Sequence, residues 1–204
     1  MMTTMHELVD VMISSGSLQT PSIIDAFRAV DRKYFVPKVW SNEAYMDNPL
    51  PIGDGQTISQ PSTVAFMLEK LAPQKGDKVL DIGSGSGWTT ALLCHIVGEE
   101  GSVTGLERVS VLVEMGQENL SKFDLAHGCI KHAGDQLGIP GEQFDRILVS
   151  AAAEEVPEEL FAQLKVGGTL VIPVENSIYQ CIKLSEEEIK IEEFYGFVFV
   201  PLIY

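Results

Sequence analysis

A chain of 204 residues, 45% hydrophobic and 21% charged, has enough apolar material for one sizeable core and too much for global disorder. Its 29 acidic residues outnumber the 14 basic ones, and the resulting net charge of −15 repels phosphate backbones and anionic membranes, which argues against a nucleic-acid or membrane partner. The three cysteines, Cys94, Cys129 and Cys181, have neither the even count of a disulfide framework nor the spacing of a zinc site, so a reducing, cytoplasmic setting is expected.

At the N-terminus Leu8, Val9, Met12 and Ile13 recur at helical spacing and Gly16 is a plausible stop. Acids stand early where a signal peptide carries a basic flank, and no run approaches the roughly 18 apolar residues that span a bilayer. In "TPSIIDAFRAVDRKYFVP" Thr20 is expected to cap a helix opening at Pro21, with Ile24, Phe27 and Val30 on one face. No linker, repeat or low-complexity tract follows. Residues 1–49 are therefore expected to form a helical extension packed on a main domain of residues 50–204.

From "STVAFMLEKLA" onward the pattern alternates. "KVLDIG", "GSVTGLE", "GCIKHAGD", "FDRILVSAA" and "TLVIPVE" read as strands, while "WTTALLCHIV", "VSVLVEMGQENLSKF" and "PEELFAQL" read as helices, with "KVGG" a turn. Short Val, Ile and Leu strands between helices predict an α/β fold with a Rossmann-like, doubly wound, mostly parallel sheet. Near the C-terminus "IYQCIKLSEEEIKIEEFYGFVFVPLIY" alternates with period two about Ser185–Glu188, predicting an antiparallel hairpin at the sheet edge.

Ligands of such sheets bind outside the carboxyl ends of the strands, and "DIGSGSG" lies there, with Gly83, Gly85 and Gly87 permitting a tight turn and a close approach of backbone to ligand. The spacing is G-x-G-x-G. The third glycine of a dinucleotide fingerprint is replaced by Trp88, and no Lys-Ser or Lys-Thr follows as a Walker loop requires. An adenosine-containing ligand without the dinucleotide pyrophosphate remains. Glu107, twenty residues past Gly87, ends the second strand, where a carboxylate accepts from both ribose hydroxyls; Asp135, one strand over, can accept an adenine amino group. Taken singly, either acid is equally a helix cap or a solvated loop residue. The four histidines, His6, His95, His127 and His132, build neither a triad nor a metal site and read as structural.

With these residues on the page, "VLDIGSGSG", Glu107 and the "GD" of Asp135 resemble the class I methyltransferases that bind S-adenosylmethionine. The stretches "PIGDGQTISQP", "SAAAEEVPEELFAQLKVGGTLVIPV" and "FVPL" resemble the protein-L-isoaspartate O-methyltransferase family in particular, over roughly residue 20 to the end. The first motif is common to many reactions; "GQTISQP" is the specific one. Trp88, the absence of a glycine after Asp135 and a terminus soon after "VPL" depart from the family pattern.

The resemblance implies methyl transfer from S-adenosylmethionine to the α-carboxylate of an L-isoaspartyl residue in a damaged protein, with S-adenosylhomocysteine as product. The ester then collapses to a succinimide that reopens partly to aspartate. It implies Ser59 at the reaction centre, Thr57 and Ser59 on the substrate, and cofactor contacts from Thr57, Ile58, Ser59, Asp81, Gly83, Ser84, Gly85, Glu107, Arg108, Gly134 and Asp135. No metal is implied, and a monomer is expected. A helix cap is the alternative for Ser59, because Pro61 can start a helix just beyond it, and caps are the expectation for Gln60 and Ser62. A methyltransferase for another carboxylate and a non-catalytic adenosine-ligand binder are the rival readings.

Overall fold

Helical spacing at the N-terminus becomes α1 (Met5–Ser14) and α2 (Pro21–Ala29) in the computed structural model, which describes residues 2–204. The buried stripe of α1 is Met5, Leu8, Val9 and Met12, one turn earlier than expected, and Ile13 is 37% exposed. Thr20 occupies the cap position of α2 without capping it. Its hydroxyl donates to Glu69 Oε2 at 2.5 Å, and the amides of Gln19 and Thr20 donate to Glu69 Oε1 at 2.7 and 2.8 Å. A carboxylate on a neighbouring helix is a stronger acceptor than a helix-end amide is a donor, so tertiary contact overrides the local motif.

Two 3-10 turns, Arg32–Phe35 and Lys38–Trp40, lead to a hairpin of β1 (Leu50–Gly53) and β2 (Gln56–Ile58). Asp54 and Gly55 both have positive φ, 47° and 71°, as the type I′ turn of a two-residue hairpin requires. Helix α3 (Pro61–Leu71) follows. The alternation then runs β3 (Lys78–Ile82), α4 (Trp88–Val97), β4 (Ser102–Glu107), α5 (Ser110–Leu120), β5 (Gly128–His132), β6 (Phe144–Val149), α6 (Glu158–Ala162) and β7 (Leu164–Val174). It ends with β8 (Ser177–Lys183) and β9 (Ile189–Tyr195).

The seven strands from β3 onward form one sheet in the order β5-β4-β3-β6-β7-β8-β9. The first five are parallel and the last two antiparallel, so the architecture is Rossmann-like α/β with a C-terminal hairpin. Alternate side chains of each strand enter different cores. Val79 and Val103 pack with the buried residues of α1 to α5; Leu80, Ile82 and Leu106 pack with Leu137, Phe144 and Leu160 of α6. One face of the sheet is thus covered by α3, α4 and α5, with α1 and α2 packed over them, the other by a short helix and loops.

Two expectations shift in detail. "KVGG" lies inside β7 as an irregularity: the register runs from Phe144↔Leu164 to Arg146↔Thr169, and Gly167 sits at φ +83°. The period-two pattern at the C-terminus ceases to be strand at Tyr195. Gly196, at φ +102°, turns the chain out of the sheet, and the terminal segment returns beside Ala152, whose amide donates to Val200 O at 2.8 Å and whose carbonyl accepts from Leu202 N at 2.7 Å. Among the described residues no helix is long and apolar enough to cross a membrane.

Candidate functional site

The chain leaves β3 towards β4 and β5 on one side, while β6 and β7 lie on the other, so the strand order reverses between β3 and β6. A crevice opens outside the carboxyl ends of strands at such a reversal. Gly83 follows β3 there and Ser150 follows β6, with the Ser150 amide donating to Ile82 O at 2.8 Å.

The glycine loop is held by β4. The amides of Gly83 and Ser84 donate to Leu106 O at 2.8 and 3.0 Å, and Gly85 N donates to Glu107 Oε2 at 2.9 Å. The other oxygen of Glu107 accepts Val109 N at 2.9 Å. Each carboxylate oxygen keeps a second lone pair for a ligand. Gly85 stands at φ +52°, and a Cβ there would lie 3.2 Å from Ile52 Cδ1 of β1. This contact seats the β1–β2 hairpin on the glycine loop, bringing residues 50–58 against residues 83–87.

Asp81 lies beneath that loop, fully buried. Its Oδ2 accepts the hydroxyls of Thr89 and Thr90 at 2.7 and 2.6 Å, which ties the first turn of α4 to β3. Its Oδ1 and the Ser84 hydroxyl are buried without hydrogen-bond partners. Burial pushes the Asp81 carboxyl up to about 6; the two threonine hydroxyls oppose the shift and the charge of Glu107 adds to it.

Three clefts adjoin. The first encloses about 780 Å³, solvent-open space included, between Gly83, Gly85, Leu106, Glu107 and Arg108 on one side and the loop after β5 and the C-terminal segment on the other. The second, about 340 Å³, lies between Thr57, Ile58 and Ser59 and the glycine loop with Ser84 and Trp88. The third, about 940 Å³, runs past Thr57, Ser59, Gln60 and Ser150 to Phe197, Val198 and Phe199 and has no charged residue in its wall. Thr57 and Ser150 line all three, and Ser59 lines the second and third.

The structure therefore brings Thr57, Ile58, Ser59, Gly83, Ser84, Gly85, Glu107 and Arg108 to one crevice. Asp81 stands behind it, and Gly134 and Asp135 are exposed between the lining residues Ala133 and Gln136. Ser59 is not a helix cap: Gln60 holds the cap position of α3 but its side chain accepts from no helix amide, donating instead to Asp47 Oδ2 and Ser62 Oγ, and Asp47 Oδ1 accepts the Ser62 amide at 2.9 Å. Trp88 is 1% exposed, edge-on to Phe27 of α2 at 5.4 Å between centroids, with Nε1 donating to Val30 O at 3.3 Å. No histidine lines the three clefts, and among the described residues no group of three potential metal ligands is found.

Sequence reasoning missed Ser150, the Leu137–Gly138 wall and the wall formed by Leu202 and Tyr204. Ser150 was within reach, since the rule that singled out Gly83 after β3 applies equally to the residue after β6. The terminal residues carried no such signal, because their placement depends on the two backbone bonds to Ala152.

A parallel sheet with a reversal at β3/β6, a glycine loop held by an acid at the end of β4 and a cleft walled by both define a Rossmann-like ligand-binding protein. The sequence model of the protein-L-isoaspartate(D-aspartate) O-methyltransferase family matches residues 3–204, and the chain belongs to that family. A protein-L-isoaspartate O-methyltransferase of Ignicoccus hospitalis is 40% identical over 97% of this chain and 96% of its own length. One from Methanopyrus kandleri is 42% identical over 97% of this chain and 90% of its own. Among solved structures, a Plasmodium falciparum protein assigned to the same activity, crystallised with S-adenosyl-L-homocysteine, superposes with a TM-score of 0.89 at 27% identity and covers 99% of both chains.

Proposed function

We propose that this chain transfers the methyl group of S-adenosylmethionine to the free α-carboxylate of L-isoaspartyl residues in damaged proteins and peptides, releasing S-adenosylhomocysteine. The observation that carries this reading, beside family membership, is the meeting of the cleft walled by the glycine loop and Glu107 with an uncharged cleft at Thr57 and Ser150, next to Ser59.

The residues present fit the cofactor. Glu107 offers two carboxylate oxygens to a vicinal diol, and Leu106 and Leu137 give apolar walls to a base. Asp81 Oδ1 and Ser84 Oγ are the unmet polar atoms behind a glycine loop that the amino-acid end of such a ligand would approach. Gly83, Gly85 and Arg108 complete that wall, with Gly134 and Asp135 at the base end. When bound, S-adenosylmethionine supplies an electrophilic methyl group: the new O–C bond forms as the C–S bond breaks, and its electron pair returns to a sulfur that leaves as a neutral thioether.

The protein's part is alignment. A carboxylate with an ordinary pKa of about 4 is ionised at neutral pH, so no general base is needed, and none lines the clefts near Ser59. Ser59 and Thr57 are neutral donors that hold the carboxylate oxygen without the tight ion pair that would lower its nucleophilicity. Residues 1–49 are read as a helical cover on the catalytic portion at 50–204. A monomer acting on damaged polypeptides is expected; the charge of −15 supports a partner that is neither nucleic acid nor membrane, and the three free cysteines support a reducing, cytoplasmic setting.

The test is methyl transfer from labelled S-adenosylmethionine to two peptides differing only in L-isoaspartate or L-aspartate at one position. A base-labile ester on the isoaspartyl peptide alone is expected; cofactor binding with transfer to neither peptide, or to both equally, defeats this reading.

A further inference from the structure

Arg32 is a charged side chain that this reaction does not use, and it is wholly buried. It opens the first 3-10 turn, and its guanidinium faces backbone carbonyls where a carboxylate partner would be expected. Nη1 donates to Ala44 O at 2.8 Å and more distantly to Met46 O at 3.4 Å. Nη2 donates to Asn48 O at 3.0 Å, Ser59 O at 3.1 Å and Ile58 O at 3.4 Å. Its Nε has no partner. The guanidinium carbon lies 5.5 Å from the centroid of the Trp88 ring, the residue that opens α4 after the glycine loop.

Dehydrating a guanidinium is costly, and burial pulls its pKa down to about 10, with the charge of Asp47 opposing that shift. Ordinary core packing at this place would be met by an apolar side chain at lower cost. The carbonyls explain what the charge does. Ala44, Met46 and Asn48 precede the β1–β2 hairpin, and Ile58 and Ser59 end it, so one planar fork ties both ends of the hairpin to each other and to the ring beside the glycine loop. A fork with donors on several nitrogens can do this; a single ammonium cannot span the same acceptors.

We propose that Arg32 is a positioning residue for methyl transfer: by holding the carbonyls at Ile58 and Ser59 it sets the Ser59 hydroxyl against the glycine loop, acting on turnover more than on cofactor binding, because of the expected cofactor contacts only Thr57, Ile58 and Ser59 lie on the segment it holds. This rests on Ser59 lying at the reaction centre. A displacement of about 1 Å at a reacting group costs up to a hundredfold in rate, whereas cofactor contacts from β3 and β4 do not pass through Arg32.

The test compares the full-length protein with Arg32→Lys, Ser59→Ala and the double variant on an isoaspartyl peptide. Turnover is expressed per S-adenosylhomocysteine-binding site counted by calorimetry on the same preparation. Arg32→Lys is expected to lower kcat on the order of tenfold, to leave the Kd for S-adenosylhomocysteine within about threefold, and to cost less than about twofold when Ser59→Ala is already present. An equal loss in both backgrounds, or full kcat per binding site with only fewer sites, overturns the proposal. Full kcat in Ser59→Ala alone overturns the reading of Ser59, and the inference with it. Should Arg32→Lys not fold, Trp88→Leu removes the ring under the guanidinium and runs the same cycle, with a kcat loss that vanishes beside Ser59→Ala expected and one that persists overturning the proposal.

Discussion

Beneath the glycine loop, the Asp81 carboxyl keeps one oxygen for two threonine hydroxyls and leaves the other unmet. In the unfolded chain it ionises near its ordinary 3.8, and in the folded chain near 6. Between those values the folded state binds the proton more tightly, so this group's contribution to stability falls as pH rises through the window and stays low above it. Asp81→Asn abolishes that titration. Its stability relative to the parent, measured by denaturant unfolding, is expected to be more favourable at pH 7 than at pH 4 by about 2 kcal/mol; a pH-independent difference would show that the carboxyl is not desolvated. At this scale the motif residues were legible and their partners were not. Glu107 was recognisable from its distance to the glycines, but both of its oxygens also hold backbone, at Gly85 and Val109. Arg32 bore no signal, because its acceptors stand 12 to 27 positions away and present carbonyls that every residue type carries.

Among the elements, the loop between β5 and β6 forms one wall of the first cleft although it contains neither helix nor strand. Gln163, just after α6 and 3% exposed, holds that loop: Oε1 accepts Ile139 N at 2.7 Å and Nε2 donates to Leu137 O at 2.9 Å and Glu159 O at 3.2 Å. Gln163→Ala leaves Ile139 N and Leu137 O without partners, each an expense of about 1–3 kcal/mol if it stays buried. The affinity for S-adenosylhomocysteine is expected to fall several-fold by calorimetry, with kcat at saturating cofactor retained. Unchanged affinity would mean that the Leu137–Gly138 wall does not touch the ligand. The longer regular elements themselves were readable. "WTTALLCHIV" coincides with α4 because a glycine flanks it at each end, whereas the strands β1 and β2, only four and three residues long, were not among the elements read from the sequence. The bulge in β7 and the exit at Gly196 were not readable, since both depend on which strand lies alongside.

For the molecule as a whole, the charge of −15 surrounds a third cleft that has no charged residue in its wall. Acidic Glu154, Glu155, Glu158 and Glu159 cluster beside Leu202 and Tyr204, which also line the first cleft. Such a field favours the approach of cationic peptides. Of two isoaspartyl peptides differing only in Lys or Glu beside the damaged residue, the Lys peptide is expected to show several-fold higher kcat/KM at about 0.01 M salt. The ratio should shrink towards one near 1 M, as the screening length falls from roughly 30 to 3 Å. A preference for the Glu peptide, or a ratio indifferent to salt, would place the discrimination in local contacts and not in the field.

Composition, periodicity and the glycine-rich loop after the first strand were enough to determine an α/β sheet of alternating elements, a ligand site at the carboxyl ends of its strands and the kind of ligand that loop accepts. Those properties follow from the local conformational freedom of glycine and from the spacing of apolar residues, which are written in consecutive positions. Only the tertiary structure decided that the β1–β2 hairpin rests on the glycine loop through Ile52, that Arg32 ties its ends, and that Ser150 and the C-terminal segment complete the clefts. These are contacts between groups far apart in the chain, made by backbone atoms and ordinary aliphatic side chains, and the packing that selects them is a property of the folded whole.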